Sequence, residues 1–322
     1  MNGIINIYKE RGCTSFDVVA KMRGILKQKR IGHTGTLDPE AEGVLPVCVG
    51  SATKACGLLT DKDKTYEAVL LLGVETDTQD MTGTVLRRFP VTVSEEEVRA
   101  AAQSFVGTYD QIPPMYSALR VGGRRLYELA REGKVIERAP RPVTIYRLEL
   151  QEISLDGEEK TVRFCVTCSK GTYIRALCED IGRRLGCGGC MKSLRRTRVS
   201  SFELSESITL SGLEAMRDAG RLAEAVLPVD RLFPAYPALR TTAEGDVYLF
   251  NGNKLPEGVV RREAIEDLQS GEESAQSGGT CDKSPAEHPW YRVYDSRGRF
   301  YALYEYSAKE ALFRNVKMFI PE

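Results

Sequence analysis

Asp38, in the segment GHTGTLDP, and Arg175, in CSKGTYIRALCEDIG, are the side chains of this sequence best suited to chemistry. A carboxylate serves as a nucleophile or a general base, and Gly35 and Pro39 on either side would hold Asp38 on a stiff backbone. Taken alone, an Asp before a Pro is usually a turn or cap residue. The surroundings decide, because a carboxylate in a closed pocket needs a compensating cation or takes up a proton instead. Arg175 stands at an expected strand-to-helix junction, with Tyr173 two positions earlier on the same strand face. It can hold a carboxylate if the fold brings the two together, and is otherwise an exposed cation at a helix start.

Metal and cofactor chemistry find less support. Cys165 with Cys168 and Cys187 with Cys190 form two CxxC units eighteen residues apart, a spacing compatible with a four-cysteine zinc site. The stretch RFCVTCSKGTYIR alternates as a strand, however, and residues three apart on a strand point to opposite faces. A zinc knuckle needs both thiolates on one side of a turn, so no metal site is expected. His33 and His288 are too few for a metal cluster, and no phosphate-cradling glycine motif is present, so no cofactor is indicated.

The elements that must carry these residues follow from periodicity. Phe16, Val19, Met22, Ile25 and Leu26 recur at helical spacing over 15–29, with Thr14 or Ser15 available as the cap. The glycines and prolines of IGHTGTLDPEAEGVLPVCVG then dictate an ordered loop and a short strand. A buried strand is expected over 66–72, alternating strands over 141–153 and 161–167, and helices over 95–105 and 175–185. Strands and helices intermix without a regular βαβ repeat, which predicts an α+β fold around a mixed sheet. After LPVDRLFP, short strand candidates at 259–262, 290–294, 300–306 and 316–320 predict a small β-rich module, with Trp290 in its core. The domains are therefore expected at 1–232 and 233–322. Inside the second, residues 268–289 are polar and acidic, and predict a disordered insertion.

Composition sets the class. A chain of 322 residues with 42% hydrophobic residues can bury a substantial core. Nine scattered cysteines do not form a secreted disulfide framework. No eighteen-residue apolar run and no signal peptide is found, so a cytoplasmic protein without a membrane partner is expected. The net charge of zero is a sum of opposed regions: six cations and no acid lie between Ile181 and Ser200, while seven acids face one lysine between Glu263 and Trp290. Such local basic runs permit nucleic-acid binding without requiring it.

Four motifs in order, IGHTGTLDPEAEGVLPVCVGSATK, KTYEAVLLLGVETDTQD, QIPPMYSALRVGGRRLYELAREG and CSKGTYIRALCEDIGRRLGCGGCMKSLRRTRVSSF, resemble the TruB-type tRNA pseudouridine synthases over about residues 1–235. The C-terminal LPVDRLFPAYPAL and LFRNVKMF are similar, less closely, to the PUA-like module of bacterial members. The resemblance implies an isomerase that turns uridine into pseudouridine at position 55, in the TΨC loop of elongator tRNAs, and a possible tRNA-folding activity. It implies Asp38 as nucleophile, Arg175 as its ion-pair partner, Tyr66 as the aromatic stacked on the target uracil, and His33, Tyr173 and Leu194 as lining of the RNA or base pocket. The stretch 116–141, with Arg120, Arg124 and Arg125, is implied to grip the tRNA. A monomer acting without guide RNA or protein partner is expected. Two departures stand out: Glu10 follows Lys9 where the family usually has proline, and the family usually lacks the acidic insertion. The rival readings are a noncatalytic RNA-binding protein, the catalytic subunit of a guide-RNA complex, and a zinc-dependent hydrolase.

Overall fold

The alternation of apolar residues in the strands Gly3–Lys9 and Glu42–Val49 separates the interior into layers, because successive side chains on a strand point to opposite faces. Ile5, Ile7, Leu45 and Val47 face the first helix, Ser15–Leu26, which buries Val18, Val19, Met22, Ile25 and Leu26 against them. Ile4, Val44 and Cys48 face the other way, into a cluster that reaches the C-terminal part of the chain. The computed structural model describes residues 1–60, 62–262 and 290–320. The expected insertion at 268–289 lies outside the described residues.

The two strands belong to a nine-stranded sheet. Its main path runs Gly3–Lys9, Glu42–Val49, Gly189–Val199, Lys64–Leu72, Thr161–Cys168, Arg141–Ser154 and Gly107–Gln111. Along that path only Glu42–Val49 and Gly189–Val199 pair in parallel, so the sheet is mixed and the fold is α+β, as the sequence predicts. The helix Ile174–Arg184 packs on the Gly189–Val199 strand and buries Ile174, Leu177, Cys178 and Ile181 in the central cluster with Phe164 and Val166. The register between the strands Lys64–Leu72 and Gly189–Val199 sets Tyr66 opposite Arg196 and Ala68 opposite Leu194.

A second, six-stranded sheet is formed by Ala238–Thr241, Leu255–Pro256, Val260–Arg262, Trp290–Tyr294, Phe300–Ser307 and Leu312–Met318, with its own cluster around Leu239, Val293 and Tyr304. The last strand ends at Met318 and begins before the expected position, because Phe313 rather than Phe319 supplies the core residue of that sheet. Phe319 instead joins Phe233, Phe300 and Leu303 in the cluster shared with Ile4 and Val44. Trp290 also faces this seam, edge-on to Tyr236 with ring centroids 5.9 Å apart, and does not lie in the core of the second sheet. Burial of each large side chain here contributes about 1.5–3 kcal/mol, and the Tyr294 hydroxyl adds a hydrogen bond to Asp230 at 2.8 Å. Among the described residues no helix is long and apolar enough to cross a membrane.

Two helical glycines make opposite demands. A Cβ on Gly182 would lie 2.4 Å from the Gly188 carbonyl carbon and from the Gly189 nitrogen, so the closeness of helix and strand depends on its absence. Gly24, inside the first helix, faces open space. Gly182→Ala is expected to lower the thermal midpoint, with a loss of about 1–3 kcal/mol from overpacking, and Gly24→Ala to raise it by about 0.4–1 kcal/mol. Thermal unfolding of both variants checks the pair.

Candidate active site

The loop from Thr34 to Ala41 is tied down almost residue by residue. Thr34 Oγ1 donates to the Pro46 carbonyl at 3.1 Å, and the Gly35 amide donates to His33 Nδ1 at 3.3 Å. Ser15 Oγ accepts from the Leu37 amide at 2.9 Å. The Pro39 carbonyl accepts from Lys9 Nζ at 3.1 Å and from the Gly12 amide at 3.0 Å. Thr14, not Ser15, caps the first helix, through a reciprocal box with Asp17, which leaves the Ser15 hydroxyl to hold the loop. Lys9 is fully buried and donates to the Glu10, Cys13 and Pro39 carbonyls, and its ammonium is pushed below its ordinary pKa by burial. The Glu10 side chain is exposed and takes no part in this anchor.

Asp38 rides on that loop with its side chain 38% exposed, while the Arg175 side chain behind it is 6% exposed. Arg175 Nε reaches Asp38 Oδ2 at 2.9 Å. Both terminal nitrogens are engaged as well: one donates to the Thr78 carbonyl at 2.9 Å and the other to the Tyr116 carbonyl at 2.8 Å. A second carboxylate, Asp80 Oδ2, stands 3.7 Å from Arg175 Nε. Asp80 is fixed in turn by Thr78 Oγ1, the Thr82 amide and the Thr82 hydroxyl, all donating to Oδ1. Arg175 meets both Asp38 oxygens, since a terminal nitrogen also donates to Oδ1 at 3.4 Å. The exposed part of the Asp38 side chain borders a pocket lined also by Arg11, Asp80, Lys192 and Leu194.

The other expected site residues are gathered here at different depths. Leu194 lines the pocket, and Tyr66 lies beneath in the same cluster as Leu37, Ala41 and Leu194, 7% exposed. Burial pushes the Tyr66 phenol above its ordinary pKa, opposed by the neighbouring Arg196 guanidinium. His33 ends a short strand paired with Glu42–Val49, half-buried, and its pKa is lowered by burial and then by Arg196. Tyr173 does not share a strand face with Arg175. The strand ends at Cys168, Tyr173 caps the helix, and Arg175 lies in the first helical turn, which is what turns its side chain inward toward Asp38. Tyr173 is half-buried and its phenol is pushed up by burial, beside Ser117.

Sequence reasoning missed Ser15, Asp80 and Arg196. The Thr78, Asp80, Thr82 spacing was the available signal for Asp80, since short polar side chains around an Asp build hydrogen-bonded turns. For Arg196 it was the two-residue step from Leu194, which puts a cation on the inward face of a strand. The two CxxC units do not converge, and no cluster of metal-type ligands forms among the described residues.

Comparison with known proteins agrees with this geometry. The model of the "TruB family pseudouridylate synthase (N terminal domain)" matches residues 23–174, and that of the "tRNA pseudouridylate synthase B C-terminal domain" matches 175–234. A tRNA pseudouridine synthase B of Lachnoclostridium phytofermentans is 53% identical over 99% of this chain and 100% of its own. The chain belongs to the TruB family of pseudouridylate synthases. Another relative, tRNA pseudouridine synthase B of Alkaliphilus oremlandii, is 49% identical over 79% of this chain and 83% of its own. Among solved structures, a Cbf5–Nop10–Gar1 complex aligns with TM-score 0.70 and 25% identity over 99% of this chain and 85% of that one. That neighbour confirms the pseudouridine synthase fold and the β-rich, PUA-like C-terminal sheet. As a TruB-family member the chain is an isomerase acting on tRNA, chemistry that needs a carboxylate but neither a redox step nor a phosphate donor.

Arg175→Lys keeps the positive charge but cannot spread donors over Asp38, Thr78 and Tyr116. Pseudouridine formation by this variant is expected to fall by roughly 100-fold or more, as expected when a reacting group is misplaced by about 1 Å. Single-turnover kinetics on a tRNA transcript checks it.

Proposed function

We propose that the chain isomerises uridine 55 in the TΨC loop of elongator tRNAs, with Asp38 as the nucleophile. The observation that carries the reading is the 2.9 Å contact between Asp38 and a buried Arg175, on a loop anchored at both ends, in a TruB-family chain. Breaking the N1–C1′ bond, turning the uracil and rejoining it through C5 requires a group that attacks either C1′ of the ribose or C6 of the base, and a partly exposed carboxylate can do either. The target base must leave its stack to reach that carboxylate, at a cost of a few kcal/mol. Stacking on Tyr66, held with Leu194 under the pocket, would return about 1–3 kcal/mol of it. His33 and Tyr173 complete the lining, and His33 would fill the space the base leaves.

In this reading residues 1–232 form the catalytic domain and 233–322 a PUA-like RNA-binding domain. The enzyme works as a cytoplasmic monomer without guide RNA or protein partner. The full-length likeness to a tRNA pseudouridine synthase B supports a stand-alone enzyme over a subunit like Cbf5, which was solved together with Nop10 and Gar1. Arg11 and Lys192 at the pocket rim supply phosphate contacts, and the hairpin around Arg120 and Arg124 grips the tRNA body.

Tritium release from a tRNA transcript labelled at uridine C5, with no added protein, tests the reading: release by wild type and none by Asp38→Asn is expected. Release by neither would move the function to noncatalytic binding or to a guided complex. Arg120 is exposed, and Arg120→Ala is expected to weaken tRNA binding and to reduce the salt slope of log K by about one. A salt titration of binding reads that slope.

A further inference from the structure

Arg196 is 1% exposed, the largest fully buried side chain of the described residues. Its Nε donates to the Val44 carbonyl at 2.8 Å and a terminal nitrogen donates to the Gly35 carbonyl at 3.1 Å. Across the sheet it stands directly opposite Tyr66, and the guanidinium lies against the tyrosine hydroxyl. On its other side it pairs with Gly43, where φ is +108° and an added Cβ would meet the Arg196 carbonyl oxygen at 2.2 Å, so neither backbone has room to shift. The groups around this guanidinium are neutral: two carbonyls that accept from it and the phenol of Tyr66. Burying a cation against neutral groups alone is costly, and a well-packed apolar residue would serve stability as well or better.

What the arrangement does accomplish is mechanical. Gly35 stands three residues before Asp38 on the anchored loop, and Tyr66 lies on the strand beneath the pocket. A guanidinium offers only donors, and the Tyr66 oxygen facing Arg196 across the strand pair is an acceptor. We propose that Arg196 is a positioning residue that couples Tyr66 to the loop of Asp38, holding the stacking aromatic and the attacking carboxylate in one fixed spacing. This rests on the proposed roles of Asp38 and Tyr66. A planar fork with donors on separate nitrogens suits such a three-way bridge, and an ammonium does not. The residue is not accessible to RNA, so its effect falls on turnover and not on binding.

The test measures single-turnover tritium release and tRNA affinity for wild type, Arg196→Lys, Tyr66→Phe and the double variant. Arg196→Lys is expected to bind tRNA as wild type does while its rate falls roughly 100-fold, the scale set by misplacement of reacting groups. The double variant is expected to lose less than the product of the two single losses, because the singles break one shared bridge. If Arg196→Lys does not fold, Arg196→Gln, which retains donors for a carbonyl, replaces it in the same cycle. Losses that multiply, a variant rate equal to wild type, or a loss confined to affinity would overturn the coupling role. Absence of release by wild type would instead overturn the proposed function on which it rests.

Discussion

A guanidinium with almost no access to water must be surrounded by acceptors, and the site is organised around how Arg175 meets that demand. Its four partners come from three separate stretches of chain: Asp38, the turn holding Thr78 and Asp80, and Tyr116. The two carboxylates are themselves held, Asp38 by its loop anchors and Asp80 by Thr78 and Thr82. Losing the arginine would leave two carboxylates close together and two carbonyls without donors, so ion pair and local fold are one structure. The same demand fixes the Asp38 carboxylate, with the arginine behind it and its exposed part bordering the pocket.

The sheet supplies the rigidity this requires. Tyr66 and Leu194 sit on neighbouring strands at the centre of the nine-stranded sheet, where both flanks are paired. Arg196 and Lys9 are buried cations of a second kind, bound to main-chain carbonyls that include one each on the loop that carries Asp38, Gly35 and Pro39. Three buried basic residues therefore frame one acidic side chain, and the electrostatic effect reaches its neighbours, since burial and Arg196 together keep the His33 pKa below its ordinary value. The C-terminal part of the chain joins this frame through Phe233, Phe300, Leu303 and Phe319, which share a cluster with Ile4 and Val44 of the first two strands on the sheet's main path.

Much of this was legible in order along the chain. Amphipathic spacing gave the first helix, expected over 15–29 and found as Ser15–Leu26, and the apolar run gave the strand expected over 66–72 and found as Lys64–Leu72, because the driving force there is burial of a face that the sequence writes directly. Trp290 and Phe319 were read less well: both belong to a seam between the two sheets, and a contact between distant segments leaves no local period. Ser15 illustrates the same limit. As a helix-start residue it was equally suited to capping, and only the proximity of Leu37 shows which backbone its hydroxyl serves.

By itself the sequence determined the α+β class, the family, and Asp38, Arg175 and Tyr66 as the residues to watch, because loop stiffness, strand and helix periods and the GHTGTLDP and GTYIR motifs are properties of neighbouring residues. Only the tertiary structure decided that Arg175 turns inward from the first turn of a helix, that Asp80 joins the pair, and that Arg196 stands opposite Tyr66 while donating to the loop at Gly35. Those facts depend on which strands pair and in what register. That register is set by cooperative burial across the whole sheet, and no window of the sequence contains it.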